Sequence, residues 1–161
     1  MTQDEQRSAI VAEALSWIGT PYRLGAHVKG AGCDCGTFLI ESVAAGGVLK
    51  PEDVYAAIRE EFGGDYSHDW FCHTKVHKYL RLMLRFAKKT IRARCFASEK
   101  LLPGSLVMTN VCSDEIGNHG GIVIKWPYIM HCIRDGGVQK VDASRDPMWA
   151  GKQVSVFDFW S

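Results

Sequence analysis

The chain has 161 residues, 47% of them hydrophobic, and a formal net charge of +1. That length and apolar share predict one compact domain over residues 1–161 with a sizeable core, and the near-neutral balance argues against a polyelectrolyte that binds nucleic acid. No apolar run of about 18 residues occurs, which excludes a membrane-spanning helix. The start Met1-Thr2-Gln3-Asp4-Glu5 is polar and lacks the basic and apolar segments of a signal peptide, so synthesis in the cytoplasm is expected. In that setting the six cysteines, Cys33, Cys35, Cys72, Cys95, Cys112 and Cys132, are expected to be reduced and mostly buried.

Thr2-x-x-Glu5 predicts a capping box that opens a helix. Ile10, Val11, Ala14, Leu15 and Ile18 form its apolar stripe, and Gly19-Thr20-Pro21 stops it. A glycine-rich loop over 25–32 follows. A second helix begins near Asp34 or Cys35, buries Phe38, Leu39 and Val43, and ends at Gly46-Gly47. A third is expected over 51–62, with Pro51 in its first turn and Gly63-Gly64 after it. Thr74 caps a fourth, whose stripe runs through Val76, Tyr79, Leu80, Met83, Leu84 and Ala87. Its other sides carry Lys75, Lys78, Arg81, Arg85, Lys88 and Lys89, with no acidic residue between Trp70 and Ser98. This is either a solvated helix face or a docking surface for an anionic polymer or an acidic partner.

Beyond Lys89 the pattern turns to short extended runs at 91–96, 105–109, 121–126, 128–133, 138–141 and 154–160. Turn signals separate them, among them Pro103-Gly104, Trp126-Pro127 and Asp135-Gly136-Gly137. Helices followed by strands predict an α+β fold with an antiparallel sheet.

Chemistry concentrates in Gly32-Cys33-Asp34-Cys35-Gly36-Thr37. A cysteine in the first turn of a helix feels unsatisfied N–H groups and the positive end of the helix dipole, which favour thiolate. Small residues after it, starting with Gly36, leave room for a carbonyl to approach backbone donors. A nucleophilic Cys35 requires an imidazole to move its proton. His119, ahead of the apolar run Gly121-Ile122-Val123-Ile124, is the candidate, and His131 on the next strand is placed to orient it. A thiolate–imidazolium pair would keep the thiol alkylatable well below its ordinary pKa of about 8.5. The alternative for each residue is structural packing.

Trp17-Ile18-Gly19-Thr20-Pro21-Tyr22-Arg23-Leu24-Gly25 followed by Gly32-Cys33-Asp34-Cys35 resembles the opening of the NlpC/P60 peptidase family, in particular its phage, prophage and gene-transfer-agent branch. Tyr66-Ser67-His68-Asp69-Trp70, Leu102-Pro103-Gly104-Ser105, His119-Gly120-Gly121-Ile122 and Met130-His131 resemble later motifs in the same order. The resemblance implies a papain-like α+β fold with N-terminal helices on a C-terminal sheet, and a cofactor-free triad of Cys35, His119 and His131. It also implies supporting roles for Tyr22 and Asp34, and hydrolysis of peptidoglycan stem peptides, often between D-γ-glutamyl and a diamino acid.

Without a signal peptide, delivery to the wall would fall to a phage particle, a lysis event or a secretion machine. The chain departs from the family at Gly36-Thr37 for a Ser-Gly pair, at Gly120 for an apolar residue and at Ser105 for Asp. Three other readings share these residues: an amidase or acyltransferase on another amide or ester, a non-catalytic tail or secretion-apparatus component, and a zinc module built on Cys33, Cys35, His119 and Cys132. The Cys-x-Cys spacing departs from ordinary zinc knuckles, and no metal is expected. His27 in the loop and Trp149 near Gly151 are candidate substrate contacts, with loop exposure and core packing as the plain alternatives.

Overall fold

A computed structural model of the chain describes residues 1–64, 78–87, 89–94, 101–111 and 118–160. Stretch 66–70, Thr74, Val76, Cys72, Cys95 and Cys112 lie outside the described residues.

Among the described residues, four helices come first. Helix α1 (Gln3–Ser16) opens on the expected capping box: the Glu5 N–H donates to Thr2 Oγ1 at 3.2 Å, and the Thr2 N–H to Glu5 Oε2 at 2.7 Å. It buries Ile10 and Ala14, while Val11 and Leu15 are half-buried. Ile18 falls beyond the helix and is 56% exposed, whereas Trp17, its C-cap, is buried. The expected stripe therefore shifts by one residue where the helical period stops. Helix α2 (Cys35–Ala44) buries Phe38, Leu39, Ile40 and Val43. Helix α3 (Pro51–Phe62) has Pro at its start and ends on Gly63 in the left-handed conformation, φ 73°. Helix α4 (Lys78–Phe86) packs on α3 and buries Leu82. Its cations meet acidic residues of α3: Arg81 lies 3.5 Å from Glu61 and Arg85 3.1 Å from Glu60. The basic face is thus partly neutralised by glutamates some twenty residues upstream.

A two-stranded ribbon, β1 (His27–Val28) and β2 (Gly32–Cys33), forms in the glycine-rich loop. The main sheet is antiparallel and runs β3-β8-β4-β5-β6-β7. Its strands are β3 (Lys89–Arg94), β4 (Leu106–Thr109), β5 (His119–Lys125), β6 (Tyr128–Ile133), β7 (Gly137–Asp142) and β8 (Gln153–Asp158). The α+β expectation is met, with β6 at its expected bounds and the other strands displaced by no more than two residues.

Alternation along the strands divides the core. Leu106, Met108, Ile122, Met130, Cys132 and Phe157 pack with Ile10, Ala14, Phe38, Leu39 and Val43 from α1 and α2. Val107, Val123, Ile129, Val154 and Val156 form a second cluster with Leu101, Ala143 and Trp149. Two of the unusual residues noted in the sequence acquire reasons. A Cβ on Gly120 would fall 2.4 Å from Leu39 Cδ1, so Leu39 occupies the space a side chain at 120 would need. Ser105 donates to Asp158 Oδ1 at 2.7 Å, and Arg7 lies 3.2 Å from that carboxylate. The acid at this place thus comes from β8.

Candidate active site

The first turn of α2 is assembled by Asp34. As N-cap, its Oδ1 accepts the Thr37 N–H at 2.9 Å, while Thr37 Oγ1 accepts the Asp34 N–H at 2.9 Å. Its Oδ2 accepts the Gly25 N–H at 2.7 Å, and Thr37 Oγ1 donates to Ala26 O at 2.6 Å. One buried carboxylate therefore ties the glycine-rich loop to the helix and faces the positive end of its dipole. Cys35 is the first helical residue and half-buried. Tyr22 is bridged to Cys33, and burial and then the nearby Cys35 and Asp34 raise its phenol above the ordinary range. Gly36 follows in the same turn and borders an apolar recess with Leu39, Val54, Ile58 and Leu82.

The imidazoles belong to the sheet. His119 opens β5, 6% exposed, and His131 lies fully buried on β6. Their Nε2 and Nδ1 atoms stand 2.9 Å apart. Asn118 holds the approach to β5: its N–H donates to Thr109 O at 3.1 Å, and its Oδ1 accepts the Val111 N–H at 2.6 Å. Burial, then His131 and Lys152, push the His119 pKa down to about 3, and burial pushes that of His131 down to about 4. The resting pair is neutral. The cause is that a buried imidazolium loses its hydration. Trp149, 0% exposed, is a core residue and no substrate contact. Its ring lies against His119 and His131, at centroid distances of 5.4 and 5.9 Å.

Two packing contacts join these halves. Cys33 Sγ lies 3.8 Å from Cys132 Sγ, beside His131 in sequence. Leu39 sits over Gly120, beside His119, and Cys35 lies one turn earlier on α2, about 6 Å along the axis. The structure thus links His119 directly to His131, and gathers Tyr22, Asp34, Cys35 and Gly36 around the start of the neighbouring helix.

Beside that helix start lies an open recess of about 1160 Å³, solvent included, lined by Leu24, Gly25, His27, Thr37, Tyr55 and Arg59. His27 is exposed there, 3.6 Å from Glu41, which also accepts the Tyr55 hydroxyl at 2.6 Å. Among the described residues no group of three or more His, Cys, Asp or Glu side chains is arranged to hold a metal ion.

No family model and no curated protein sequence matches the chain. Solved structures do. The NlpC/p60 domain of the peptidoglycan hydrolase SagA is 18% identical with a TM-score of 0.52, over 93% of this chain and 97% of that one. NlpC2 from Trichomonas vaginalis is 12% identical with a TM-score of 0.62, over 100% and 49%. An NlpC/P60 family protein from Bacillus cereus ATCC 10987 is 13% identical with a TM-score of 0.60, over 96% and 40%. The chain thus spans half or less of the last two. It has the fold of NlpC/P60 domains.

Proposed function

We propose that the chain is a cysteine peptidase that hydrolyses an amide bond of peptidoglycan stem peptides, at D-γ-glutamyl linked to a diamino acid. The observation that carries this reading is the buried His119–His131 pair at 2.9 Å. An imidazole that shuttles a proton is effective when a neighbouring group fixes its ring within reach of the proton it moves.

In the reaction, Cys35 attacks the substrate carbonyl carbon while its thiol proton passes to His119. The oxyanion develops near the start of α2, where helix geometry leaves the Gly36 N–H without an intrahelical acceptor and the dipole favours negative charge. His119 then protonates the departing amine, and a thioester remains on Cys35. Water, deprotonated by His119, attacks the thioester, releases the carboxylic acid and restores the thiol. Asp34 and Thr37 hold the helix turn, His131 holds the base, and Tyr22 lies beside the nucleophile. No cofactor enters. The recess lined by His27 and Arg59 provides cationic and hydrogen-bonding groups for a carboxylate-bearing peptide.

The solved NlpC/P60 domain of SagA, described as a peptidoglycan hydrolase, supports the substrate class. The test is mass spectrometry of muropeptides digested with the wild type and with Cys35→Ala. Cleavage by the wild type alone is expected, and equal cleavage by both would sink the role of Cys35.

A further inference from the structure

His131 Nδ1 receives two neighbours. His119 Nε2 stands 2.9 Å away and the indole Nε1 of Trp149 3.0 Å away. An indole N–H can only donate. Nδ1 of His131 must therefore present its lone pair, and the neutral ring carries its proton on Nε2. That nitrogen faces Nε2 of the Gln139 side-chain amide at 3.3 Å, on the paired residue of β7. Two N–H groups cannot bond each other, and an amide can be turned over whereas an indole cannot, so the proton on His131 Nε2 requires the Gln139 amide turned with its oxygen on that side. Since Nδ1 of His131 is an acceptor, His119 must carry its own proton on Nε2 and donate it. The lone pair of His119 then resides on Nδ1.

From this chain of donors we infer that Trp149 is a positioning residue: its indole N–H selects the tautomer of His131, and through it the tautomer that makes His119 Nδ1 a base. The catalytic part of this inference rests on the proposed cysteine-peptidase reading, while the tautomer part does not.

The local fold is built for the contact. Trp149 lies in the turn between β7 and β8, where its backbone N–H donates to Asp146 O at 3.0 Å and the Met148 backbone N–H to Asp146 Oδ1 at 2.9 Å. Gly121 clears the ring's seat. A Cβ there would fall 2.9 Å from Met130 O and 3.2 Å from Trp149 Cζ2, so alanine at 121 would collide with the indole or the neighbouring backbone. Without the indole N–H, the pair gains a competing arrangement. His131 then donates from Nδ1 to His119 Nε2, and the His119 proton moves to Nδ1, which leaves that atom no capacity to accept. Both arrangements keep one hydrogen bond between the rings, so the third group decides between them.

The experiment uses the uniformly ¹⁵N-labelled full chain. Long-range proton–nitrogen spectra of the histidine rings at about pH 7 distinguish Nδ1–H from Nε2–H, and His119→Gln and His131→Gln assign the signals. In the wild type, both rings are expected as Nε2–H. Trp149→Phe keeps most of the ring and removes the donor, and the Nδ1–H form should then appear at both histidines. On stem peptides its kcat should fall on the order of tenfold or more with KM little changed, as for loss of a hydrogen bond that holds a base. A wild-type His131 with its proton on Nδ1 overturns the inference even if the variant fails to fold. Unchanged tautomers in a folded Trp149→Phe overturn it as well. A wild type that cleaves no stem peptide but shows the expected tautomers removes the proposed function and leaves the assignment of Trp149 standing.

Discussion

Alanine at position 120 adds one methyl group at the seam that sets α2 against β5. Its Cβ would meet Leu39 Cδ1 at 2.4 Å and Val107 O at 3.5 Å. The second distance is an ordinary contact. The first is far inside the roughly 3.5–4.0 Å at which carbon atoms attract. The backbone at 120 is not in the left-handed region, so the strain falls on Leu39 alone. Leu39 is 2% exposed and has little space to swing into. Gly120→Ala should therefore cost about 1–3 kcal/mol by overpacking. Leu39→Ala should cost about 2–5 kcal/mol through lost burial and the void it leaves. Together the two changes relieve each other, because the methyl at 120 enters the volume that Leu39 vacates. The double variant should be more stable than the sum of the single losses by about 1–3 kcal/mol. Urea unfolding followed by tryptophan fluorescence measures all four proteins, with equal m values as the check on two-state behaviour. Additivity within about 0.5 kcal/mol would show that Leu39 does not fill the space over Gly120.

Acid should unfold the protein in a way that the buried histidines control. His119 and His131 titrate near 3 and 4 when folded and near 6.5 when unfolded. The unfolded chain therefore binds more protons below about pH 6.5, and stability that is complete above that value falls by up to about 1.4 kcal/mol per unit per histidine as pH drops toward the folded values. Urea unfolding at several pH values should give a shallower slope for His131→Gln than for the wild type, and equal slopes would mean that His131 is hydrated in the fold. At the start of α2, Asp34→Ala removes the acceptor of the Thr37 and Gly25 N–H groups. A loss of about 1–2 kcal/mol is expected by thermal unfolding, with Asp34→Asn losing less, and an alanine variant as stable as the wild type would contradict the capping role.

The parts of this fold that were legible in the sequence are those that local chemistry specifies. Thr2 and Glu5 announce α1, Pro51 and Gly63 bracket α3, and Tyr128 to Ile133 coincides with β6. The 2.9 Å pairing of His119 with His131 follows from a hairpin spacing that periodicity makes visible. What stayed hidden depends on residues distant in the chain. The position of Trp149 under the imidazoles requires the path of the turn after β7, and its sequence surroundings are equally compatible with an exposed groove. The charge of α4 reads as unopposed because Glu60 and Glu61 reach it only through helix packing. Gly120 appears as a departure until Leu39 is found in its place. The short ribbon of His27–Val28 and Gly32–Cys33 has too few residues to show alternation.

The place of β8 in the sheet bears on how the protein emerges from the ribosome. Strands β4, β5, β6 and β7 are neighbours in sequence and in space, so they can zip together as successive hairpins. β3 and β4 are not neighbours in the sheet: Gln153–Asp158 is inserted between them. While a nascent chain ends short of those residues, β4 presents an unpaired apolar edge and β3 has nothing to join. Such edges recruit other chains, and pairing across so long a stretch is slow. The interval between synthesis of β4 and arrival of β8 is thus the period of greatest exposure to aggregation, and a chaperone that shields the edge of β4 would act in that window.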